Sequence, residues 1–166
     1  YLLSFQLMSK KNILVFGSNG LVGSSCVRIL SDSKKVSNVI SSTRKDTNLF
    51  NYIDTKKKIL ESKPDVVIIA AAKVGGILAN NTYRTEFLIE NLKINMNILE
   101  SLIDFPEIQI INLGSSCIYP LNAQNPLKED YIFSGKLEPT NSPYAVAKLA
   151  AIELADAMSQ QFNHNI

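Results

Sequence analysis

The sequence predicts an α/β fold, a doubly wound parallel sheet flanked by helices. Three observations carry that prediction. Short β-branched runs alternate with stretches of helical apolar period from Asn12 onward. Three glycines, Gly17, Gly20 and Gly23, lie between the first run and the first helical stretch. The last helical stretch carries a tyrosine and a lysine four residues apart, Tyr144 and Lys148.

The elements follow in order. Residues 12–16, NILVF, suit a strand buried on both faces. Leu21, Val22, Cys26, Val27, Ile29 and Leu30 then trace a helical stripe, with Cys26 expected in the core. A second strand fits residues 36–41, a short polar helix residues 55–63, and VVIIAAA after Pro64-Asp65 a third strand. A long helix runs from about Tyr83 to Asp104 and is stopped by Pro106. Residues 108–114, IQIINLG, form the fourth strand. Residues 115–141 are proline-rich and aperiodic, the signature of a functional or disordered loop. The final helix starts near Ser142, a candidate cap, with Pro143 suited to its first position. Strands that alternate with helices imply right-handed crossovers. The expected sheet is Rossmann-type, in the order 3-2-1-4-5-6, truncated after the helix that carries Tyr144 and Lys148. Its fifth strand is absent or just beginning at Asn165-Ile166, which leaves the fourth as an exposed apolar edge.

The bulk numbers exclude several classes. The chain has 166 residues, 46% hydrophobic and 19% charged, with a net charge of +2, so neither nucleic acid nor a membrane surface is the expected partner. No apolar run nears the ~20 residues that span a bilayer. Cys26 and Cys117 are far apart without metal-ligand spacing, which points to a reducing, cytoplasmic setting. Residues 1–9 lack the basic flank and cleavage site of a signal peptide and read as poorly ordered residues upstream of the domain.

Gly17 fits a tight turn, Gly20 lets backbone amides approach a diphosphate, and Gly23 lets the helix pack on the strand. The spacing is one residue off the common dinucleotide fingerprint, so the glycines alone are also compatible with a structural turn, and the strand before and helix after them favour a dinucleotide. The second strand ends in SSTRK, without the acidic residue that would bind the ribose of NAD. Arg44 is either a clamp for the 2′-phosphate of NADP(H) or a solvated surface cation.

Tyr144 and Lys148 share a helix face. A phenol is a poor proton donor or acceptor near neutrality, and an adjacent ammonium would lower its pKa. Ser115, at the carboxyl end of the fourth strand, faces the crevice where ligands of such sheets bind and can hydrogen-bond a substrate carbonyl. Each feature alone has a bland explanation; their combination is far more specific than any one of them.

The glycine loop, AAAKVGG, NTYRTEF, GSSCIYP and LEPTNSPYAVAK, in that order, resemble the extended short-chain dehydrogenase/reductases, and within them the nucleotide-sugar epimerase-reductases. The resemblance runs from about Lys10 to the end. It implies an NADP(H) cofactor and a GDP-sugar substrate, GDP-4-keto-6-deoxymannose. By match, Gly17, Ser18, Asn19, Gly20, Leu21, Val22 and Gly23 form the diphosphate loop. Arg44, Lys45, Asp46, Thr47, Asn48 and Leu49 lie near the 2′-phosphate, Ala70 and Ala71 line the adenosine, and Leu113, Gly114, Ser115 and Ser116 lie beside the nicotinamide. Ser115, Tyr144 and Lys148 match the catalytic serine, tyrosine and lysine. Cys117 matches a cysteine of epimerisation, a role that suits a thiolate base; the alternative is a small buried hydrophobe. Asn97 matches a residue that supports the tyrosine–lysine pair, or is an ordinary polar position. Lys73 is a candidate substrate-side cation.

The family's second acid/base histidine and its sugar-binding domain have no match in this chain, which therefore reads as an inactive cofactor half. Its single histidine, His164, is expected to be exposed in a turn. The resemblance also implies a homodimer through the two long helices. Two alternatives stay open. One is a nucleotide-sugar 4-epimerase or dehydratase, which GSSC disfavours; the other is a dinucleotide-binding regulatory protein, which the retained tyrosine and lysine disfavour.

Overall fold

The computed structural model describes residues 10–166; the expectation for residues 1–9 lies outside the described residues. Four strands, β1 (Lys11–Phe16), β2 (Val36–Ser42), β3 (Val66–Ile69) and β4 (Gln109–Asn112), form one parallel sheet. They alternate with α1 (Leu21–Ser31), α2 (Tyr52–Ser62), α3 (Ile77–Thr82), α4 (Arg84–Leu102) and α5 (Ser142–Phe162). This is the expected Rossmann-like α/β architecture.

The strand order is β2-β1-β3-β4, which corrects the expected placing of the first three strands. The third strand crosses to the far side of β1 instead of lying outside β2. All four of its residues are buried, so it takes a neighbour on each edge: Ile13 pairs with Val66 on one side, and Val66 with Gln109 on the other. β4 is the edge strand among the described residues. The Ile110 amide, on its outer side, donates to Asn165 O at 2.9 Å.

Alternation along the strands feeds two clusters. Leu14, Phe16, Val67, Ile69 and Ile110 point to one face, where Ile59 of α2, Ile94, Ile98, Leu99 and Leu102 of α4, and Ala151 and Met158 of α5 close over them. Each fully buried aliphatic or Phe side chain stabilises this layer by about 1.5–3 kcal/mol. Ile13, Val15, Val66 and Ile68 point to the other face, against Val27 and Leu30 of α1. That cover is partial. Leu21 is 90% and Ile29 62% exposed, Cys26 is only half-buried, and Ile111 of β4 is exposed, so the apolar stripe of α1 does not lie wholly in a core.

Three local expectations change. α3 was not visible as a separate element, because its six residues give no period; Gly76 precedes it and Tyr83 separates it from α4. The N-cap of α5 is Asn141, not Ser142, and Pro143 occupies the second position. His164 is buried, not exposed. Asn163 ends α5 in the left-handed conformation (φ 61°), as asparagine tolerates, and turns the chain so that His164 Nε2 donates to Ile103 O at 3.0 Å.

Past β3, the AAAK segment leaves the ladder with both of its ends still hydrogen-bonded. Ala70 N donates to Phe16 O, and Asn91 of α4 receives the Lys73 amide on Oδ1 at 2.8 Å and donates Nδ2 to Lys73 O at 3.0 Å.

Candidate active site

The carboxyl ends of the four strands open on two adjoining recesses. The first, about 550 Å³, is lined by Gly17, Asn19 and Gly20, by Thr43, Arg44, Thr47, Asn48, Leu49 and Phe50, by Ala70, Ala71 and Ala72, and by Ile94. Its glycine turn is built by necessity. Gly17 has φ +77°, and a Cβ there would sit 2.6 Å from Ala71 N. A Cβ on Gly23 would collide with Gly17 O, so α1 packs directly on the turn. Gly20 is the N-cap of α1 and brings no side chain to compete for the first-turn amides. A short turn of bare backbone leading into a helix N-terminus fits the diphosphate of a dinucleotide.

Arg44 stands exposed at the rim, and Thr47, Asn48 and Leu49 continue the wall. Lys45 and Asp46 do not line it. Asp46 accepts from Thr43 N at 2.9 Å and Thr43 Oγ1 at 2.6 Å, and these bonds, with the Thr43 hydroxyl first, hold its carboxyl below the usual range. Thr47 Oγ1 accepts from the Ser42 hydroxyl at 2.9 Å. Ser18 is buried, and Leu21 and Val22 are exposed on α1 outside the recess. Thr43, Phe50, Ala72 and Ile94 line it without having been foreseen; nothing in their periodicity marks them.

Asn97 does not support the tyrosine–lysine pair. Its Nδ2 donates to Leu49 O at 2.8 Å, so it anchors the 43–50 loop to α4. Lys73 is not a free cation: its Nζ lies 2.7 Å from Glu90 Oε1 and over the Phe87 ring.

The second recess, about 340 Å³, is lined by Val74, Gly75, Asn80, Phe87, Ser115, Ser116, Cys117, Asn141 and Tyr144. It brings Ser115, Cys117 and Tyr144 together from two distant segments. β4 ends at Asn112, and a single 3-10 turn, Ser116–Ile118, follows with Ser115 as its cap. The Cys117 thiol donates to Ser115 Oγ at 3.1 Å. Lys148 is 3% exposed, and its Nζ donates to Leu113 O at 2.8 Å. Leu113 and Gly114 connect β4 to this turn.

The electrostatics differ from expectation at Tyr144. Burial raises its phenol above the usual value, the nearby Cys117 charge raises it further, and a hydrogen bond with Ser115 opposes both. The ammonium of Lys148 is spent on a carbonyl instead of a phenolate. Burial lowers the Lys148 pKa, and Cys117 pulls it back up. The Tyr144 phenol is therefore held protonated to higher pH than a free tyrosine.

Arg84, which sequence reasoning passed over, braces this recess. Its guanidinium donates to Pro139 O at 2.8 Å and Ser142 Oγ at 3.1 Å, fixing the start of α5 two residues before Tyr144. Among the described residues, no helix is long and apolar enough to cross a membrane.

Residues 13–166 match the NAD dependent epimerase/dehydratase family. The GDP-L-fucose synthase of Sinorhizobium fredii is 41% identical over 159 residues, which cover 96% of this chain and 50% of that protein. The enzyme of the same description from Escherichia coli (strain K12) is 39% identical over 158 residues, covering 95% and 49%. The solved structure of a GDP-mannoheptose C4 reductase from Campylobacter jejuni with NADP bound superposes with a TM-score of 0.86 at 30% identity, covering 95% of this chain and 46% of that one. The chain spans about half the length of the relatives it matches. With the glycine turn, the parallel sheet and the match over residues 13–166 in agreement, this chain belongs to the NAD dependent epimerase/dehydratase family.

Proposed function

We propose that this chain is the cofactor-binding half of an NADP-dependent epimerase-reductase that converts GDP-4-keto-6-deoxymannose to GDP-L-fucose. The observation that carries the reading is the convergence of Ser115, Cys117 and Tyr144 on one recess beside the glycine-turn cleft. The similarity to two GDP-L-fucose synthases supports the choice of substrate.

In this reading residues 10–166 are the dinucleotide domain. Gly17, Gly20 and the first turn of α1 hold the diphosphate, and Arg44 takes the 2′-phosphate that distinguishes NADP(H) from NAD(H). Bound NADPH supplies the hydride that reduces the ketone at carbon four. Ser115 donates a hydrogen bond to the keto oxygen and polarises it. Tyr144, whose phenol burial keeps protonated to still higher pH, gives its proton to that oxygen as the alcohol forms. Lys148, pinned to Leu113 O, presents its remaining N–H groups to the nicotinamide ribose. Cys117 takes the proton from a carbon beside the ketone, and an acid on the opposite face returns one, inverting that carbon. His164, tied to Ile103 O, is not among the residues of this recess. The protein pairs as a homodimer through α4 and α5, a reading that the exposed Ile89, Met96 and Val146 support.

The test uses the whole protein that carries this chain, with NADPH and GDP-4-keto-6-deoxymannose in deuterated water. Expected are NADPH oxidation, GDP-L-fucose as product, and deuterium at carbons three and five. Reduction without deuterium would favour a second reading, a GDP-sugar C4 reductase, for which the likeness to the Campylobacter jejuni reductase speaks. No turnover would sink both. The isolated chain of residues 1–166 is expected to be inactive.

A further inference from the structure

The helix that carries Tyr144 begins without a side-chain cap. Asn141, its N-cap, makes no side-chain hydrogen bond to the first turn, and Pro143 has no N–H to offer. Two charged side chains from outside the helix hold the segment that leads into it. Glu138 meets its donors: Oε1 accepts from Thr140 N at 3.0 Å, and Oε2 accepts from the Thr140 hydroxyl and from Asn141 N at 3.2 Å. Arg84 meets its acceptors: the guanidinium donates to Pro139 O at 2.8 Å and to Ser142 Oγ at 3.1 Å. An anion has only acceptors and a guanidinium only donors, so the two divide the work by chemical necessity. Charge-assisted bonds of this kind are the stronger ones. They hold the Glu138 carboxyl below its usual range, the Thr140 hydroxyl first, with the Arg84 charge adding to the effect.

The anchoring of this clamp gives it a function. Arg84 is the first residue of α4, and Phe87, three residues on, is a wall of the recess of Ser115 and Cys117. Asn141 and Tyr144, on the clamped side, line the same recess. Arg84 therefore joins one wall to another across 55 to 58 residues of chain. Neither Arg84 nor Glu138 is among the lining residues, so neither is placed to touch a ligand there. A side chain in the first turn of a helix moves with that turn. A misplacement of about 1 Å at a reacting group can cost about a hundredfold in rate.

We propose that Arg84 and Glu138 are positioning residues for proton transfer: they fix the start of α5 and thereby set where the Tyr144 hydroxyl stands relative to Ser115 and the bound ketone. This rests on the reading of Tyr144 as the proton donor.

The experiment uses the whole protein with NADPH and GDP-4-keto-6-deoxymannose. Arg84→Met keeps the stem and removes the donors. Glu138→Gln leaves one acceptor oxygen where the carboxylate uses two. Arg84→Lys keeps the charge without the fork. Expected in the first two variants is a fall in kcat of about tenfold to a hundredfold, with KM and the Kd for NADPH within about twofold of the parent, and a partial recovery in Arg84→Lys. The double variant should fall little further than the worse single, because both residues act on one segment. A second readout does not need turnover. The phenolate absorbance that disappears in Tyr144→Phe should appear at lower pH in Arg84→Met, because a loosened start admits water to a phenol that burial shields. That fall runs against the loss of a positive charge, which alone would raise the phenol. Parent-like kcat in both variants, a loss shared equally with KM and NADPH binding, or an unmoved phenol overturns the proposal, even where Tm drops. If the parent does not turn over the ketosugar, the proton-donor reading fails and the phenol titration alone decides whether the clamp places Tyr144. If Arg84→Met does not fold, Arg84→Lys is titrated instead, with a smaller fall expected.

Discussion

The Lys148 ammonium donates to the carbonyl of Leu113 at 2.8 Å, and this bond ties the middle of α5 to the segment that leaves β4. Ser115 and Cys117 follow two and four residues later, while Tyr144 lies one turn earlier on the helix. One charge thus holds both halves of the candidate site in register. Lys148→Met keeps the aliphatic stem but removes the tether and leaves Leu113 O without its donor. Reduction by the whole protein is expected to fall about a hundredfold or more, within the range for groups that set up proton transfer. A steady-state assay that returned parent-like kcat/KM would remove Lys148 from the machinery.

Burial first, and the Cys117 charge second, hold the Tyr144 phenol above its ordinary pKa of 10.0. The folded state therefore keeps this proton after the unfolded chain has released it. The stability so contributed is complete below the unfolded value and is lost as pH rises through the raised folded one. Cys117→Ala deletes one of the two raising influences. The phenol is then expected to titrate at lower pH than in the parent, read as the phenolate absorbance that disappears in Tyr144→Phe. An upward shift would contradict this assignment of causes.

Two side chains of the nucleotide cleft separate by what they hold. Arg44→Ala is expected to weaken NADPH by about tenfold to a hundredfold, as for loss of a charge-assisted hydrogen bond, and to leave NADH unchanged. Asn97→Ala frees Leu49 O and slackens the 43–50 loop, which weakens both nucleotides by about twofold to tenfold. Fluorescence titration with the two cofactors distinguishes them. Equal losses of NADPH and NADH in Arg44→Ala would end its role as the 2′-phosphate clamp.

Gly23→Ala drives a methyl group into the Gly17 carbonyl, and the obstacle is backbone that has little room to retreat. Overpacking of this kind costs about 1–3 kcal/mol, or roughly 2–12 °C in Tm for a domain this size. Gly114→Ala, where a Cβ meets nothing, is the matched control and should melt like the parent.

The sheet and its helices were legible because their signals are periodic: NILVF and VVII are buried on both faces, and α4 buries Phe87, Asn91, Ile94, Ile98 and Leu102 along one stripe. The strand order was not, since it depends on which strand needs two neighbours, and burial on both faces reads alike in β1 and β3. The meeting of Ser115, Cys117 and Tyr144 in one recess followed from topology once the strand ends were known. The partners of Asn97, Lys73 and His164 did not. Each is fixed by a single carbonyl or carboxylate 17 to 61 residues away, and no local pattern encodes such a contact.

Asn91 acts as a side-chain surrogate for a missing strand. Wholly enclosed, it returns to Lys73 both bonds that a neighbouring backbone would have made, and spends its other N–H on Phe87 O at 2.7 Å. The crevice can therefore stay open at its floor without wetting the main chain beneath. In hydrogen exchange the Lys73 amide, though outside any strand or helix, should be protected like the centre of β3.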